Sequence, residues 1–197
     1  MTTIIGIKTT EGVVLASDKR ASKGFFIGSK IVQKISKIDE TLAIAIAGQL
    51  SDAEHLIKVA AAERKLIELR RGFPLSVKES SRLIANLAYS GLRSYQPYYV
   101  ELLVAGVDSS GSHVNVADMS GAITNEDFAA SGSGAPIAYG VLESLYDKNI
   151  TNEEARDIAR KAVSAAMERD PGSGNGIDIV VIPKIITSSA TSGQLLA

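Results

Sequence analysis

Thr2 is the residue of this sequence best suited to hydrolytic chemistry, on condition that Met1 is removed. Threonine is small enough for an aminopeptidase to remove the preceding methionine, and Thr2 would then carry both a hydroxyl and a free α-amine. The unperturbed pKa of such an amine is roughly 7.7 to 8.0, so a small downward shift makes it a base beside its own Oγ. A Met-Thr start alone is weak evidence, because most such chains are merely trimmed.

The composition excludes the commoner hydrolytic arrangements. The sequence has no cysteine, which excludes disulfides, thiolate metal sites and thiol nucleophiles. Its two histidines, His55 and His113, offer little for a histidine-based triad, and we interpret both as surface or structural residues. The formal net charge of −1 creates no long-range field that would attract nucleic acid or an anionic membrane. We therefore expect no metal, no cofactor, no nucleic-acid partner and no membrane.

The elements that would hold Thr2 begin with a β-hairpin. The segments TTIIGIKTT and GVVLASD are rich in β-branched residues and predict two strands joined by a turn at Glu11-Gly12. A third extended stretch is predicted over 25–35. In TLAIAIA, over 41–47, bulky residues alternate with alanines, which indicates a strand covered on both faces.

A pair of helices is predicted to follow these strands. Ser51 and Glu54 have the spacing of a capping box and would start the first helix, which ends near 71–74. The second helix would cover about 75–94. These two helices would pack together on one face of a sheet.

The second half of the sequence repeats this order. The strands YVELLVAGVD and HVNVADM, joined by a turn at 108–112, come first. One helix then follows Gly132-Ser133-Gly134, and another begins at Thr151, with Glu154 completing a capping box. The strand GIDIVVIP would close the fold.

This order of elements predicts an α+β fold of four layers, helix/sheet/sheet/helix, rather than alternating βαβ units. The 197 residues suit one domain, with the Ser- and Thr-containing segment 185–197 as a surface tail. The N-terminus lacks the pattern of a signal peptide, and no apolar run reaches the roughly 18 residues of a membrane span. We expect a soluble, cytoplasmic protein.

From Thr2 to about Pro183, the sequence resembles the β subunits of archaeal-type proteasomes, which are N-terminal-nucleophile hydrolases. The resemblance extends over nearly the whole chain, in the order and at the spacing of the family. The segments that carry it are TTIIGIK, LASDKRAS, VQKI, AIAGQLSDA, ELLVAGVD, SGSGAPIAYGVLES and ERDPGSGNGIDIVVI.

The resemblance implies a threonine endopeptidase with Thr2 as the nucleophile. Asp18 and Lys34 would support it, since a lysine ammonium favours the alkoxide-like form of Oγ and discourages protonation of the amine, while an aspartate keeps the lysine charged. It further implies that Ser133, Asp170 and Ser173 complete the hydrogen-bonded surroundings of the amine.

The resemblance also implies a substrate groove that binds an extended peptide backbone. Gly48 would supply the N–H that stabilises an oxyanion, and the predicted lining is uncharged, which predicts cleavage after apolar or aromatic residues. An alternative is that Val32 and Ile46 are simply core residues. The predicted groove and pocket residues are Ala21, Ser22, Val32, Ile46, Gly48 and Leu50.

The implied partners are proteasome α subunits, other β subunits in heptameric rings, an unfoldase ATPase that acts through the α ring, and unfolded polypeptides as substrates. Two alternatives remain open. A non-catalytic β subunit of the same ring is disfavoured because Thr2 and Lys34 are both present. The bacterial threonine peptidase that pairs with an unfoldase is disfavoured by YGVLES and RDPGSGNGID.

One feature departs from the family's usual precursor, because methionine rather than glycine precedes the predicted nucleophile, and we expect no propeptide. Autolytic activation is therefore in doubt. We expect activation to depend on an aminopeptidase that removes Met1, since a retained Met1 blocks the amine.

Overall fold

The computed structural model describes residues 1–184, so the predicted surface tail at 185–197 lies outside the described residues. Eleven strands and four helices are present in this part of the chain. In chain order they are β1 (Ile4–Lys8), β2 (Gly12–Asp18), β3 (Ala21–Lys23), β4 (Phe26–Ser29), β5 (Ile35–Lys37), β6 (Leu42–Gly48), α1 (Leu50–Arg71), α2 (Val77–Arg93), β7 (Val100–Asp108), β8 (Gly111–Asp118), β9 (Ile123–Glu126), β10 (Phe128–Ser131), α3 (Ala135–Leu145), α4 (Asn152–Arg169) and β11 (Ile177–Pro183).

Two antiparallel sheets form the centre of the fold. One has the strand order β10-β1-β2-β11 and the other has the order β5-β6-β7-β8-β9, while β3 and β4 form a separate two-stranded hairpin. The predicted hairpin at the N-terminus is present, with Ile4 opposite Ser17 and Lys8 opposite Val13. Because β1 and β2 lie in the middle of their sheet, the hairpin is flanked by β10 on one side and by β11 on the other.

Three apolar clusters separate four layers, as the predicted helix/sheet/sheet/helix order requires. On β1, Ile5 and Ile7 face α3 and α4, while Ile4 faces the other sheet, since successive side chains of a strand point to opposite faces. On β6, Leu42 and Ile44 pack against α1 and α2, and the alanines between them face the inter-sheet core. The alternation in TLAIAIA therefore reflects two different packing surfaces.

The start of α1 differs from the prediction. The residue before the helix is Gln49, which makes no side-chain capping bond, so the capping box predicted at Ser51 is wrong. The physical reason is tertiary: the Gln49 N–H donates to the Tyr99 carbonyl at 2.9 Å, and the Asp52 carboxylate accepts from the Tyr99 N–H at 2.9 Å. Tyr99, the residue just before β7, thus fixes where the helix begins.

The other helix starts follow local sequence rules. Ser76 caps α2 in a capping box with Glu79, which the sequence reading missed, and Thr151 caps α4 in the predicted box with Glu154. The predicted extended stretch over 25–35 is divided between β4 and β5, with no strand at 30–34. Among the described residues, no helix is long and apolar enough to span a membrane.

Candidate active site

Thr2 lies just before β1. It is at the edge of the four-stranded sheet where β2 ends. Its side chain is almost completely buried, at 3% exposure, although Met1 before it is 57% exposed. The antiparallel pairing of β1 with β2 places Asp18 beside Thr2 and Thr3, and the Asp18 N–H donates to the Thr3 carbonyl at 3.2 Å. The position of Thr2 is therefore fixed by the register of a central strand pair.

Asp18 is a fully buried carboxylate that joins several parts of the site. Its Oδ1 accepts hydrogen bonds from Thr2 Oγ1 at 3.0 Å, from the Thr3 N–H at 3.0 Å and from Lys34 Nζ at 2.6 Å. Its Oδ2 accepts from the backbone N–H groups of Arg20 and Gly174, each at 2.9 Å. These five donors hold the buried carboxylate in one orientation.

Lys34 is 5% exposed and forms an ion pair with Asp18. Burial lowers the pKa of the Lys34 ammonium, while the hydrogen bond and the charge of Asp18 offset part of this effect. The Lys34 carbonyl accepts from the Ile46 N–H at 2.9 Å, which ties this segment to β6. The structure therefore brings Thr2, Asp18 and Lys34 together in one buried cluster.

A second cluster lies on the side of the Thr2 backbone nitrogen. The Thr2 N–H donates to Ser133 Oγ at 3.0 Å, and Ser133 Oγ donates to Asp170 Oδ2 at 2.7 Å. Ser173 Oγ also donates to Asp170 Oδ2, at 2.6 Å, and accepts from Thr3 Oγ1 at 2.7 Å. Ser133 thus contacts the nitrogen that becomes the free amine once Met1 is removed, and Asp170 and Ser173 lie behind Ser133 in the same hydrogen-bonded cluster.

Asp170 ends α4 and faces the loop before α3. Burial would raise the pKa of its carboxyl, but hydrogen bonds from Ser173, Ser133 and the Gly172 N–H outweigh burial and lower the pKa below its usual value. Asp170 is therefore charged at neutral pH. A negative charge beyond Ser133 would favour positive charge on a free Thr2 amine, in opposition to the effect of Lys34.

Two glycines let the loop before α3 approach Thr2 closely. A Cβ on Gly132, which has φ of +92°, would lie 2.2 Å from the Thr2 carbonyl oxygen. A Cβ on Gly134 would lie 2.1 Å from Thr3 Oγ1. The Gly-Ser-Gly sequence is therefore required on both sides of Ser133 for its hydroxyl to reach the Thr2 nitrogen.

A cleft of about 240 Å³ opens beside Thr2 and Lys34. Arg20 contributes the only other charged side chain to its described lining. Gly48 has φ of +111°, and a Cβ there would lie 2.2 Å from the Tyr99 carbonyl oxygen, so only glycine suits this strand end. The six residues predicted to form the groove and pocket all line this cleft: Ala21, Ser22, Val32, Ile46, Gly48 and Leu50.

The role of Ile46 combines two of the alternatives considered from sequence. Ile46 is 5% exposed and belongs to the core beneath α1, yet it also forms part of the wall of the cleft. Val32 is only partly buried and is not among the core residues of the described chain. Ile46 is therefore both a core residue and a cleft residue, whereas Val32 lines the cleft without belonging to the core.

Thr3 and Arg20 adjoin the site but were not singled out from the sequence. Arg20 donates from Nε to Asn175 Oδ1 at 2.9 Å and from Nη1 to the Pro171 carbonyl at 2.8 Å, so it holds the turn after Asp170 against the end of β2. The pair Thr2-Thr3 could have drawn attention to Thr3, and the sequence Asp18-Lys19-Arg20 to Arg20. Neither pattern indicates which distant loop the Thr3 or Arg20 side chain contacts.

Neither histidine takes part in this site. His55 is exposed on α1 and stacks on Tyr98, with the ring centroids 6.0 Å apart. His113 Nε2 lies 3.1 Å from Asp108 Oδ1 and 2.9 Å from Ser110 Oγ, in the β7–β8 hairpin. The surface and structural roles predicted for them agree with these positions.

Comparison with known proteins finds one family over almost the whole chain. A family model described as "Proteasome subunit" matches residues 1–182. A protein named proteasome subunit beta from Methanosphaerula palustris is 42% identical over 195 residues, which cover 98% of this chain and 92% of that protein. Proteins of the same name from Haloferax volcanii and Methanopyrus kandleri are 45% and 38% identical, over 92% and 93% of this chain and 73% and 87% of their own lengths.

Proposed function

Because this chain belongs to the proteasome subunit family, as a β subunit of the archaeal type, we propose that it is a catalytic subunit, a threonine endopeptidase with Thr2 as its nucleophile. The observation that carries this proposal is the buried cluster in which Asp18 contacts both Thr2 Oγ1 and Lys34 Nζ beside an open cleft. A purely structural role would not require a buried ion pair in contact with the Thr2 hydroxyl.

In the first proposed step, the free Thr2 amine accepts the proton of its own Oγ, and Oγ attacks the carbonyl carbon of the substrate peptide bond. The positive charge of Lys34 stabilises the negative charge that develops on Oγ. Asp18 keeps this ammonium charged and oriented, which opposes the lowering of the Lys34 pKa by burial.

In the second step, the negative oxygen of the tetrahedral intermediate is stabilised by the Gly48 N–H, at the exposed strand end that lines the cleft. The intermediate collapses to an ester of Thr2 as the leaving amine takes the proton from the Thr2 amine. A water molecule activated by the same amine then hydrolyses the ester. Ser133, with Asp170 behind it, orients the amine throughout.

The lining of the cleft supports a preference for cleavage after apolar or aromatic residues. Val32, Ile46 and Leu50 provide apolar surface beside Lys34, and no described acidic side chain lines the cleft. Ala21 and Ser22 belong to β3, beside which an extended peptide would pair through its backbone. Recognition of the backbone allows cleavage in many sequence contexts.

Membership of the family implies assembly with α and β subunits in rings. We propose in addition that the β ring is heptameric, that an unfoldase ATPase delivers unfolded polypeptides through the α ring, and that the particle works in the cytoplasm. We also propose that the chain acts as one domain. The chemistry proposed at Thr2 does not depend on the ring size, the ATPase or the location.

The test is the intact mass of the purified subunit before and after incubation with a peptide epoxyketone, which needs a free amine and an adjacent hydroxyl to form its ring adduct. We expect loss of Met1 and the addition of one inhibitor mass, located on Thr2. A chain that has lost Met1 and forms no adduct would refute the catalytic role and support a structural β subunit.

Two variants serve as controls. Thr2→Ala should assemble and cleave no fluorogenic peptide, whereas Thr2→Ser keeps a hydroxyl beside the amine and should retain measurable cleavage. Substantial cleavage by assembled Thr2→Ala would contradict the assignment of the nucleophile.

A further inference from the structure

A second cleft lies at the end of the sandwich opposite Thr2. Strand β1 runs from beside Thr2 to Lys8, and Lys8 lines this cleft together with side chains from the start of β8 and from the loops after β9, α3 and β11. Its volume is about 240 Å³, the same as that of the cleft beside Thr2. The lining residues that matter here are Lys8, Ser112, Asp127, Tyr146, Lys148 and Lys184.

The cleft carries an excess of positive charge. Three lysines line it, and Asp127 is its only described acidic side chain, lying 3.6 Å from both Lys8 Nζ and Lys148 Nζ. Two further carboxylates lie on neighbouring loops outside the lining: Glu11 accepts from the Asn152 N–H at 2.9 Å and Asp147 from the Asn149 N–H at 2.8 Å. Three lysines thus lie beside one carboxylate in the described lining.

Lys8 is positioned before any ligand arrives. Its ammonium donates to Asn125 Oδ1 at 2.8 Å, and Asn125 in turn donates to the buried Asn115 at 2.6 Å. Asn115 donates to Ser81 on α2 at 2.8 Å. This chain of hydrogen bonds connects the cleft to the interior, so that the Lys8 side chain is only 17% exposed.

Hydroxyl groups in the cleft have hydrogen-bonding capacity left. Ser112 Oγ is buried and has no hydrogen-bond partner among the described residues, although buried polar groups nearly always have one. Burial, together with the nearby Asp127 and Asp147, raises the pKa of Tyr146, so its hydroxyl keeps its proton. A lysine ammonium has three N–H donors, and Lys184 uses one on the Thr10 carbonyl at 2.7 Å.

We propose that this cleft binds a phosphate group, either inorganic phosphate or a phosphate monoester. A phosphate carries close to two negative charges, which suits a lining with three lysines and one carboxylate, and its oxygens accept hydrogen bonds from ammonium and hydroxyl groups. A carboxylate supplies only one charge and two oxygens. The site is separate from the peptidase cleft, so the proposal is independent of the function proposed for Thr2.

Equilibrium dialysis of the assembled protein tests the proposal, with inorganic phosphate, phenyl phosphate and acetate as probes. We expect saturable phosphate binding, with an affinity about tenfold lower for Lys8→Met and for Lys184→Met, because each removes one ammonium. Lys161→Met, which removes an exposed lysine from α4, is the matched control and should bind as the parent does.

Phenyl phosphate distinguishes the two sources of the ligand. Tighter binding of phenyl phosphate assigns the cleft to a monoester, and binding of inorganic phosphate alone assigns it to the free ion. Equal affinity for acetate, equal affinity of the lysine variants and the Lys161→Met control, or no saturable binding would overturn the proposal. Size-exclusion chromatography of the variants, relative to the parent, checks that they are folded and assembled.

Discussion

The two ends of strands β1 and β2 open on clefts of the same volume but hold their charges in different ways. At the Thr2 end, Asp18 and Lys34 are buried, and backbone N–H groups and hydroxyls fix them in place. At the opposite end, the Asp127 and Lys148 side chains are 46% and 82% exposed and pair at 3.6 Å. One end is organised before a substrate binds, while much of the other is solvated.

This difference has an energetic consequence. A buried ion pair loses its solvation on folding, so removal of one partner leaves an uncompensated charge, whereas an exposed pair exchanges its partner for water. Substitutions of the same chemical kind should therefore have large effects at the Thr2 end and small effects at the Lys8 end.

The largest effect is expected for Asp18→Asn. This change removes the negative charge that compensates Lys34 and should lower the free energy of unfolding by about 3–5 kcal/mol and turnover by about 10³-fold or more. Urea unfolding and cleavage of a fluorogenic peptide would measure the two losses. The matched variant Asp127→Asn should change stability by less than about 1 kcal/mol. Similar losses of stability in Asp18→Asn and Asp127→Asn would show that the two ends do not differ in how they hold their charges.

Asp170→Asn should have the next largest effect, with turnover about 100-fold lower, because Ser133 and Ser173 lose their charged acceptor. The pKa of Asp170 in the folded protein lies below its usual value. Its carboxylate therefore stabilises the fold above a pH of about 3.9, and this contribution is lost as the pH falls through the lower, folded value.

Thermal unfolding between neutral pH and pH 3 would show this dependence. Asp170→Asn should be less stable than the parent at neutral pH and should lose less stability on acidification. A variant with the same acid dependence as the parent would show that Asp170 does not contribute to it.

Arg20→Met should have a moderate effect, about tenfold on kcat with little change in KM, because Arg20 holds the turn that follows Asp170 without a contact to Thr2 among the described hydrogen bonds. Lys19→Met is the matched control, since Lys19 forms a partly exposed ion pair with Asp178. Arg20→Lys should restore little activity, because one ammonium cannot reproduce the fork that contacts both Asn175 and Pro171. Equal kinetics for the two Met variants would exclude a positioning role for Arg20.

The smallest effect is expected for Asp108→Asn, in the β7–β8 hairpin. Burial would raise the pKa of Asp108, but hydrogen bonds from Ser110 and the Val77 N–H outweigh it and lower the pKa to about 2. Loss of this charge at the start of α2 should cost about 1 kcal/mol at neutral pH and leave turnover unchanged. The parent should lose this contribution only as the pH falls below about 4 towards 2. A change in turnover would show that α2 influences the Thr2 end.

Features that depend on residues close in sequence were predicted better than features that depend on tertiary contacts. The alternation in TLAIAIA and the capping box of Thr151 and Glu154 depend on neighbouring residues, and both predictions were confirmed. The start of α1 depends on Tyr99, which is about 50 residues away in sequence, so Ser51 was wrongly taken as its cap.

The candidate site shows the same limit. Thr2, Asp18 and Ser133 were proposed from the resemblance, and the structure brings them within hydrogen-bonding distance in one cluster, while their catalytic roles stay predictions. Arg20 was missed because its partners lie more than 150 residues later in the chain. Spacing along a sequence carries no information on such contacts.

The close packing of Met1 against Gly172 affects the order of events in the life of this protein. A Cβ on Gly172 would lie 2.1 Å from Met1 Cβ, so the chain accommodates a residue before Thr2 while the surrounding hydrogen bonds are already made. Folding and exposure of the reactive amine are thus separable events. With the function proposed above, a subunit that carries Met1 can fold without peptidase activity, and removal of Met1 then sets when that activity begins.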